Sequence, residues 1–248
     1  MTFDPSRLRE VRLRYERRVY SNGKASGADT VVRALQWSDA SDGTWILTTD
    51  RTVTDAQKHP NTAHMVDTVR LERTTLRPLS AVYAVRVTDG GSAYYNATIG
   101  DSTATLHMEH LDVRFRPVPG GKERVGTARR ITDTLLTLPS SRYPRVVTGV
   151  EAVIKLMAAP IGPGWKRSLL LTTPGGAVAA LPMDFELVGR QWIDSRGIKI
   201  DCWKLRGGTT AQITYLVRKS DGVLISQRLE QKVNNERMVM EMVLIDER

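Results

Sequence analysis

The sequence predicts a mainly β protein of the α+β kind: a single curved antiparallel sheet or half-barrel of about ten strands wrapped around one central amphipathic helix. Three observations carry that prediction. Apolar and polar residues alternate with period two along most of the chain, the mark of half-buried strands. Tight-turn signals recur between the alternating runs. One stretch alone, Thr148 to Trp165, has helical periodicity. No low-complexity linker or internal repeat divides the chain, so residues 1–248 read as one domain.

The runs follow in order. Val11, Leu13, Tyr15 and Val19 alternate with Arg12, Arg14, Glu16 and Arg18, and Asn22-Gly23 supplies a turn whose positions tolerate positive φ. Val31, Arg33, Leu35 and Trp37 share the next face, so an arginine interrupts an otherwise apolar row. Asp42-Gly43 turns the chain into Thr44 to Thr49. The polar segment from Arg51 to His64 reads as a surface loop. Strands are expected at Val66 to Thr75, Ser80 to Thr88, Tyr94 to Ile99, Thr103 to Phe115 and Arg124 to Ile131.

In the helix, Val150, Val153, Ile154, Met157 and Ala158 form one apolar stripe. Thr148 and Glu151 have capping-box spacing, and Glu151 and Lys155 an i, i+4 pairing off the stripe. Pro160 ends the helix, and Pro163 with two glycines makes a lip before Trp165. Six further runs follow: Ser168 to Thr172, Ala177 to Val188, Ile198 to Leu205, Gln212 to Arg218, Val223 to Glu230 and Met238 to Ile245. A sheet this long has to curl, and its concave apolar face needs a cover. The helix is the candidate.

Composition narrows the function. A net charge of +9 comes from basic residues spread along the whole chain rather than gathered into a stripe with interleaved aromatics, so no nucleic-acid partner is expected. The single cysteine, Cys202, excludes an internal disulfide and lies in an alternating apolar run, where a small buried hydrophobe is expected rather than a nucleophile. No apolar run is long enough for a transmembrane helix, and MTFDPSRLRE has no signal-peptide core. The expected location is periplasmic or extracellular if a leader was removed, and cytoplasmic otherwise.

His107-Met108-Glu109-His110 lacks the spacing of a helical zinc motif, and on a strand His107 and Glu109 share a face that His110 leaves. His59 and His64 fall in the polar segment. Asp184 and Glu186 share a strand face and read as its solvated side. No GxSxG, Walker, dinucleotide or CxxC pattern occurs. The expectation is therefore no catalytic residue, metal or cofactor. The methionine row Met238, Met240 and Met242 suits a soft apolar partner, although core packing explains it as well.

The closing half, with Val188-Gly189, Gly197, Trp203 and Lys219-Ser220-Asp221-Gly222, resembles a bacterial family of uncharacterised envelope proteins related to LolA-like lipoprotein carriers, over about Val66 to Leu229. The resemblance implies a half-barrel with helical cover whose relatives hold acyl chains. The functional expectation is non-enzymatic binding of a hydrophobic ligand or lipid-modified partner, a lipid or a lipoprotein, in the bacterial envelope. Val153, Ile154, Met157, Ile161 and Trp165 are the candidate ligand-binding residues. A scaffold that docks an acidic partner, and a hydrolase with a loop-built site, are the alternatives.

Overall fold

The computed structural model describes residues 4–38, 43–54, 62–88, 90–138, 144–146, 149–172, 180–195, 197–208, 212–233 and 236–248. They build one sheet of fifteen strands and one short helix. The strands are β1 (Val11–Ser21), β2 (Lys24–Trp37), β3 (Trp45–Thr54), β4 (Thr62–Leu71), β5 (Pro78–Val87), β6 (Ser92–Ile99), β7 (Thr103–Val118), β8 (Gly121–Thr137), β9 (Arg145–Val146), β10 (Lys166–Thr172), β11 (Ala180–Ser195), β12 (Ile198–Gly208), β13 (Gln212–Arg218), β14 (Leu224–Val233) and β15 (Glu236–Glu247). The helix is α1 (Gly149–Met157).

The expected architecture needs correcting on three counts. There are fifteen strands rather than about ten. The sheet is mixed, because β9 runs parallel to β10 whereas its other ladders are antiparallel. Among the described residues the sheet is open, with β8 and β9 as unpaired edges, and the nine-residue helix is not a central axis for it. Fourteen of the fifteen correspond to the alternating runs of the sequence. Residues 51–64 hold the end of β3 and the start of β4, whose polar residues hide the strand period. The parallel strand β9 has two residues, too few to show any period.

The strand order is β8-β7-β6-β5-β4-β3-β2-β1-β15-β14-β13-β12-β11-β10-β9. The first and last strands thus pair at the middle of the sheet, and each half meanders outward from that seam. The edges β8 and β9 are consecutive in sequence, so the sheet has to curl until they approach. One bond marks the approach: the Arg145 side chain on β9 donates to Asp101 O in the β6–β7 turn, next to the end of β7 that pairs with the end of β8.

Helix α1 closes one end of this curl. Residues 151–159 are all buried. Asp4 N donates to Ala158 O (2.9 Å), and Arg7 Nη1 to Ala159 O (2.6 Å), so the segment before β1 lies across the helix C-terminus. From another side Gly222, in the β13–β14 turn, presses on Met157. A Cβ at Gly222 would stand 2.6 Å from Met157 Cα, and its φ of +74° is the left-handed region that glycine tolerates. Glu151 and Lys155 do pair (2.8 Å), but inside rather than on a solvated side, and Lys155 Nζ also donates to Arg145 O (2.6 Å). Thr148, the expected partner of the capping box, lies outside the described residues.

The apolar core occupies the helix end. A row running across seven strands, Val11–Leu35–Leu47–Val69–Ala81–Ala97–Leu106, is buried throughout. Leu205, Val217, Leu224 and Phe185 complete it from the other half of the sheet. Burying each such large side chain contributes about 1.5–3 kcal/mol.

Candidate ligand-binding interior

The strand period sets what lines the concave face beyond the core. Two residues along from the buried row, on the same face, the register brings together Leu13–Arg33–Thr49–Asp67–Tyr83–Tyr95–Met108. Two further along it is Tyr15–Val31–Arg51–Met65–Val85–Ala93–His110. The interior therefore changes from an apolar row to a polar one, and then to a mixed one, with distance from α1. Arg33, the residue that interrupts the apolar face of β2, opens the polar row.

The polar rows are only partly self-satisfied. Tyr15 is fully buried and donates its hydroxyl to Leu224 O (3.0 Å), and burial pushes the phenol up to about 12. The Arg33 guanidinium lies over the Tyr15 ring, 5.1 Å from its centroid, with 7% of the residue exposed. Burial lowers its pKa, although a guanidinium stays charged at any physiological pH. Arg33 Nε and Nη1, Thr49 Oγ1 and Arg51 Nε find no hydrogen-bond partner among the described residues. Arg51 Nη2 reaches Met65 Sδ (2.6 Å). Arg17 and Asp29 neutralise each other as a two-pronged pair (Nε to Oδ1, 2.8 Å). Desolvation raises the Asp67 carboxyl above its usual range, and the charges of Arg51 and Arg33 offset part of the rise. Beside these groups stand soft and aromatic side chains. Tyr95 contacts Tyr83 (5.7 Å between centroids) and His110 (5.2 Å, edge on). Met108, Met240, Ile213 and Leu229 are partly buried.

The residues expected to bind ligand sit deeper. Val153, Ile154 and Met157 are core side chains of α1. Ile161 is partly buried against the same cluster. Trp165 is buried, with Nε1 lacking a partner among the described residues and the Arg167 guanidinium 5.9 Å above its ring. The lip from Pro160 to Gly164 is exposed or half-exposed, and Trp165 turns from it into the core. The methionine row divides: Met242 is buried, and Met238 and Met240 are half-buried.

The other candidates resolve into ordinary contacts. His107 and Glu109 do share a face (3.1 Å), with Asp133 beside them (2.7 Å), and His110 turns inward to Tyr95. His64 lies on β4 and bonds Asp50 (2.8 Å); His59 lies outside the described residues. Asp184 accepts from Ser168 Oγ, and Glu186 from Arg206, whose bond holds that carboxyl below its usual range. Cys202 is fully buried, and desolvation pushes its thiol up to about 11. Among the described residues, no group of three or more His, Cys, Asp or Glu could hold a metal ion, and no helix is long and apolar enough to cross a membrane.

Two surface grooves flank the helix end. One of about 690 Å³ runs between β12, the β13–β14 turn and β15, where Lys199, Asp201, Lys219 and Asp246 face it. The other, of about 520 Å³, lies beside Trp37 and Trp45, which meet edge to face (5.0 Å between centroids), under Arg73. Neither is lined by the five residues expected to bind ligand.

No family model and no curated protein matches the sequence. Among solved structures, the chain is similar in fold to a crystal structure of a β-barrel-like protein of a domain of unknown function, DUF1849, from Brucella abortus. The TM-score is 0.60 at 9% sequence identity, covering 97% of this chain and 98% of that one. This likeness defines the fold of the chain as a barrel-like sheet.

Proposed function

We propose that this chain is a non-enzymatic binding protein of the bacterial envelope that takes an apolar chain, a lipid or the acyl group of a lipoprotein, into the concave face of its curled sheet. One observation carries the reading. Beyond the packed core, the inward positions are half-buried methionine, aromatic and branched side chains next to polar groups without partners. Methionine adapts its shape to a flexible chain, and a concave, mostly apolar surface with a few convergent polar groups is the usual make-up of a small-molecule site. In this reading Val153, Ile154 and Met157, with Ile161 and Trp165, close the apolar floor of the interior beneath the ligand. The resemblance to LolA-like carriers agrees with it, as does the barrel-like neighbour, whose own function is unknown.

Native mass spectrometry of the purified chain tests the proposal. A population heavier by the mass of an acyl lipid, lost on organic extraction, is expected. A chain that stays at its sequence mass after incubation with mixed bacterial lipids would overturn it.

A further inference from the structure

We propose that Arg33, Thr49 and Arg51, inside the sheet on β2 and β3, bind the anionic head of the apolar ligand, a carboxylate or a phosphate group. The inference rests on the reading just given and adds to it the chemistry of the ligand's polar end.

Position comes first. Arg33 and Thr49 are directly opposed across β2 and β3. Arg51 stands two residues beyond Thr49 on the same face, opposite Val31. Directly opposed Cβ atoms lie about 4.5–5.5 Å apart, and diagonal ones about 7–8 Å. Two guanidinium groups and a hydroxyl can therefore converge on one group of carboxylate or phosphate size.

Donor accounting comes second. Buried polar groups in folded proteins are nearly always paired. Arg33 is more than nine-tenths buried, yet two of its nitrogens have no partner among the described residues, and the Thr49 hydroxyl and Arg51 Nε join them. Four unmet polar atoms on adjacent strands facing one interior mark a place where something else completes the bonds. The Tyr15 ring supports the Arg33 guanidinium from one side and so limits where its free edge can point.

Charge comes third. The charged groups on these rows are Arg33, Arg51 and Asp67, with Arg17 and Asp29 already neutralising each other. Asp67 forms no ion pair with either arginine among the described residues. One positive charge is left over in a desolvated setting. A buried surplus charge is costly, and a bound anion removes the cost. A guanidinium fork fits carboxylate and phosphate oxygens two at a time. Arg51 and Asp67 are half-exposed, which leaves an approach from the end of the sheet opposite α1. Met65 and Met108 lie beside the path, ready to pack against the first methylenes of a chain.

Isothermal titration of the delipidated full chain tests this with four probes: dodecanoate, dodecyl phosphate, dodecanol and inorganic phosphate. Dodecanoate or dodecyl phosphate, or both, should bind at least about tenfold more tightly than dodecanol, and inorganic phosphate far more weakly than dodecyl phosphate. Which anionic probe binds best distinguishes a fatty-acid head from a phospholipid one. In Arg33→Met the advantage over dodecanol should fall to within about twofold. Arg51→Gln, at a half-exposed position, repeats the test should Arg33→Met fail to melt as a folded protein. Equal binding of charged and neutral probes by the unaltered chain would overturn the head-group site and leave the apolar-ligand reading standing. Inorganic phosphate as tight as dodecyl phosphate would overturn the pairing of head with chain. Binding of no probe would overturn the apolar-ligand reading, and this inference with it.

Discussion

At the residue scale, charge and burial make two side chains predictable. His107 is bonded to Asp133 and Glu109, and both bonds favour the imidazolium, Asp133 the more. Its folded pKa therefore lies above the unfolded one. Whatever stability this contributes is complete below the unfolded pKa and is lost as pH rises through the folded value. Asp133→Asn should move the His107 titration, followed by NMR, to lower pH; an unchanged midpoint would show that Asp133 does not hold the ring. Cys202 has the opposite character. With its thiol buried and pushed up to about 11, the native protein should resist iodoacetamide at pH 8 and react only once unfolded. The burial of Cys202 was legible in the alternating run around it. Arg33 was legible as an interruption of an apolar face, but its isolation was not, because the groups that surround it come from strands separated in sequence. Arg51 gave no signal, since it falls where polar strand residues read as a loop.

At the element scale, α1 is the instructive case. Its stripe and its Glu151–Lys155 spacing were correctly placed by sequence, yet an i, i+4 ion pair ordinarily marks the solvated face. Here that face is covered too, because the segment before β1 and the β13–β14 turn close over the helix from two sides. Burying the pair is tolerable because each charge neutralises the other and Lys155 also bonds Arg145 O. Removing one partner strands the other. Lys155→Ala or Glu151→Ala should each cost about 3–5 kcal/mol in urea melts, and the double change to Met and Leu much less. A cost below about 1 kcal/mol for the single changes would place the pair in water. Gly222→Ala should also destabilise, by about 1–2 kcal/mol for the left-handed backbone alone and more for the displaced helix end. The turn itself is tied down by Arg218, which bonds both Asp221 (2.8 Å) and Glu247 (2.9 Å), and by Arg9 on Asp221 (3.0 Å).

At the scale of the whole molecule, the seam between β1 and β15 organises the sheet. Alternation and turn residues made every strand but β9 visible as a run. Neither could show that the two termini meet at the centre, or that β8 and β9 are the edges. That information lies in pairings between residues more than two hundred positions apart, such as Val19 with Met240. Such pairings close late and slow the folding of β proteins. Once formed, the seam has a strand on either side. The outer part of the β7–β8 hairpin, residues 113–128, is exposed almost throughout and belongs to an unpaired edge. Hydrogen exchange should therefore be slowest at β1 and β15 and fastest in that hairpin. A fast-exchanging seam would contradict the topology. The same curl that brings β8 near β9 makes the concave interior in which the apolar, polar and mixed rows lie one beyond the other.

A crystal structure grown with dodecyl phosphate tests that interior most directly. The alkyl chain is expected along the concave face beside Met65 and Met108, with phosphate oxygens within hydrogen-bond distance of Arg33 and Arg51. Well-ordered ligand seated instead in the outer groove between β12 and β15, or an interior filled by side chains with no ligand in it, would contradict it.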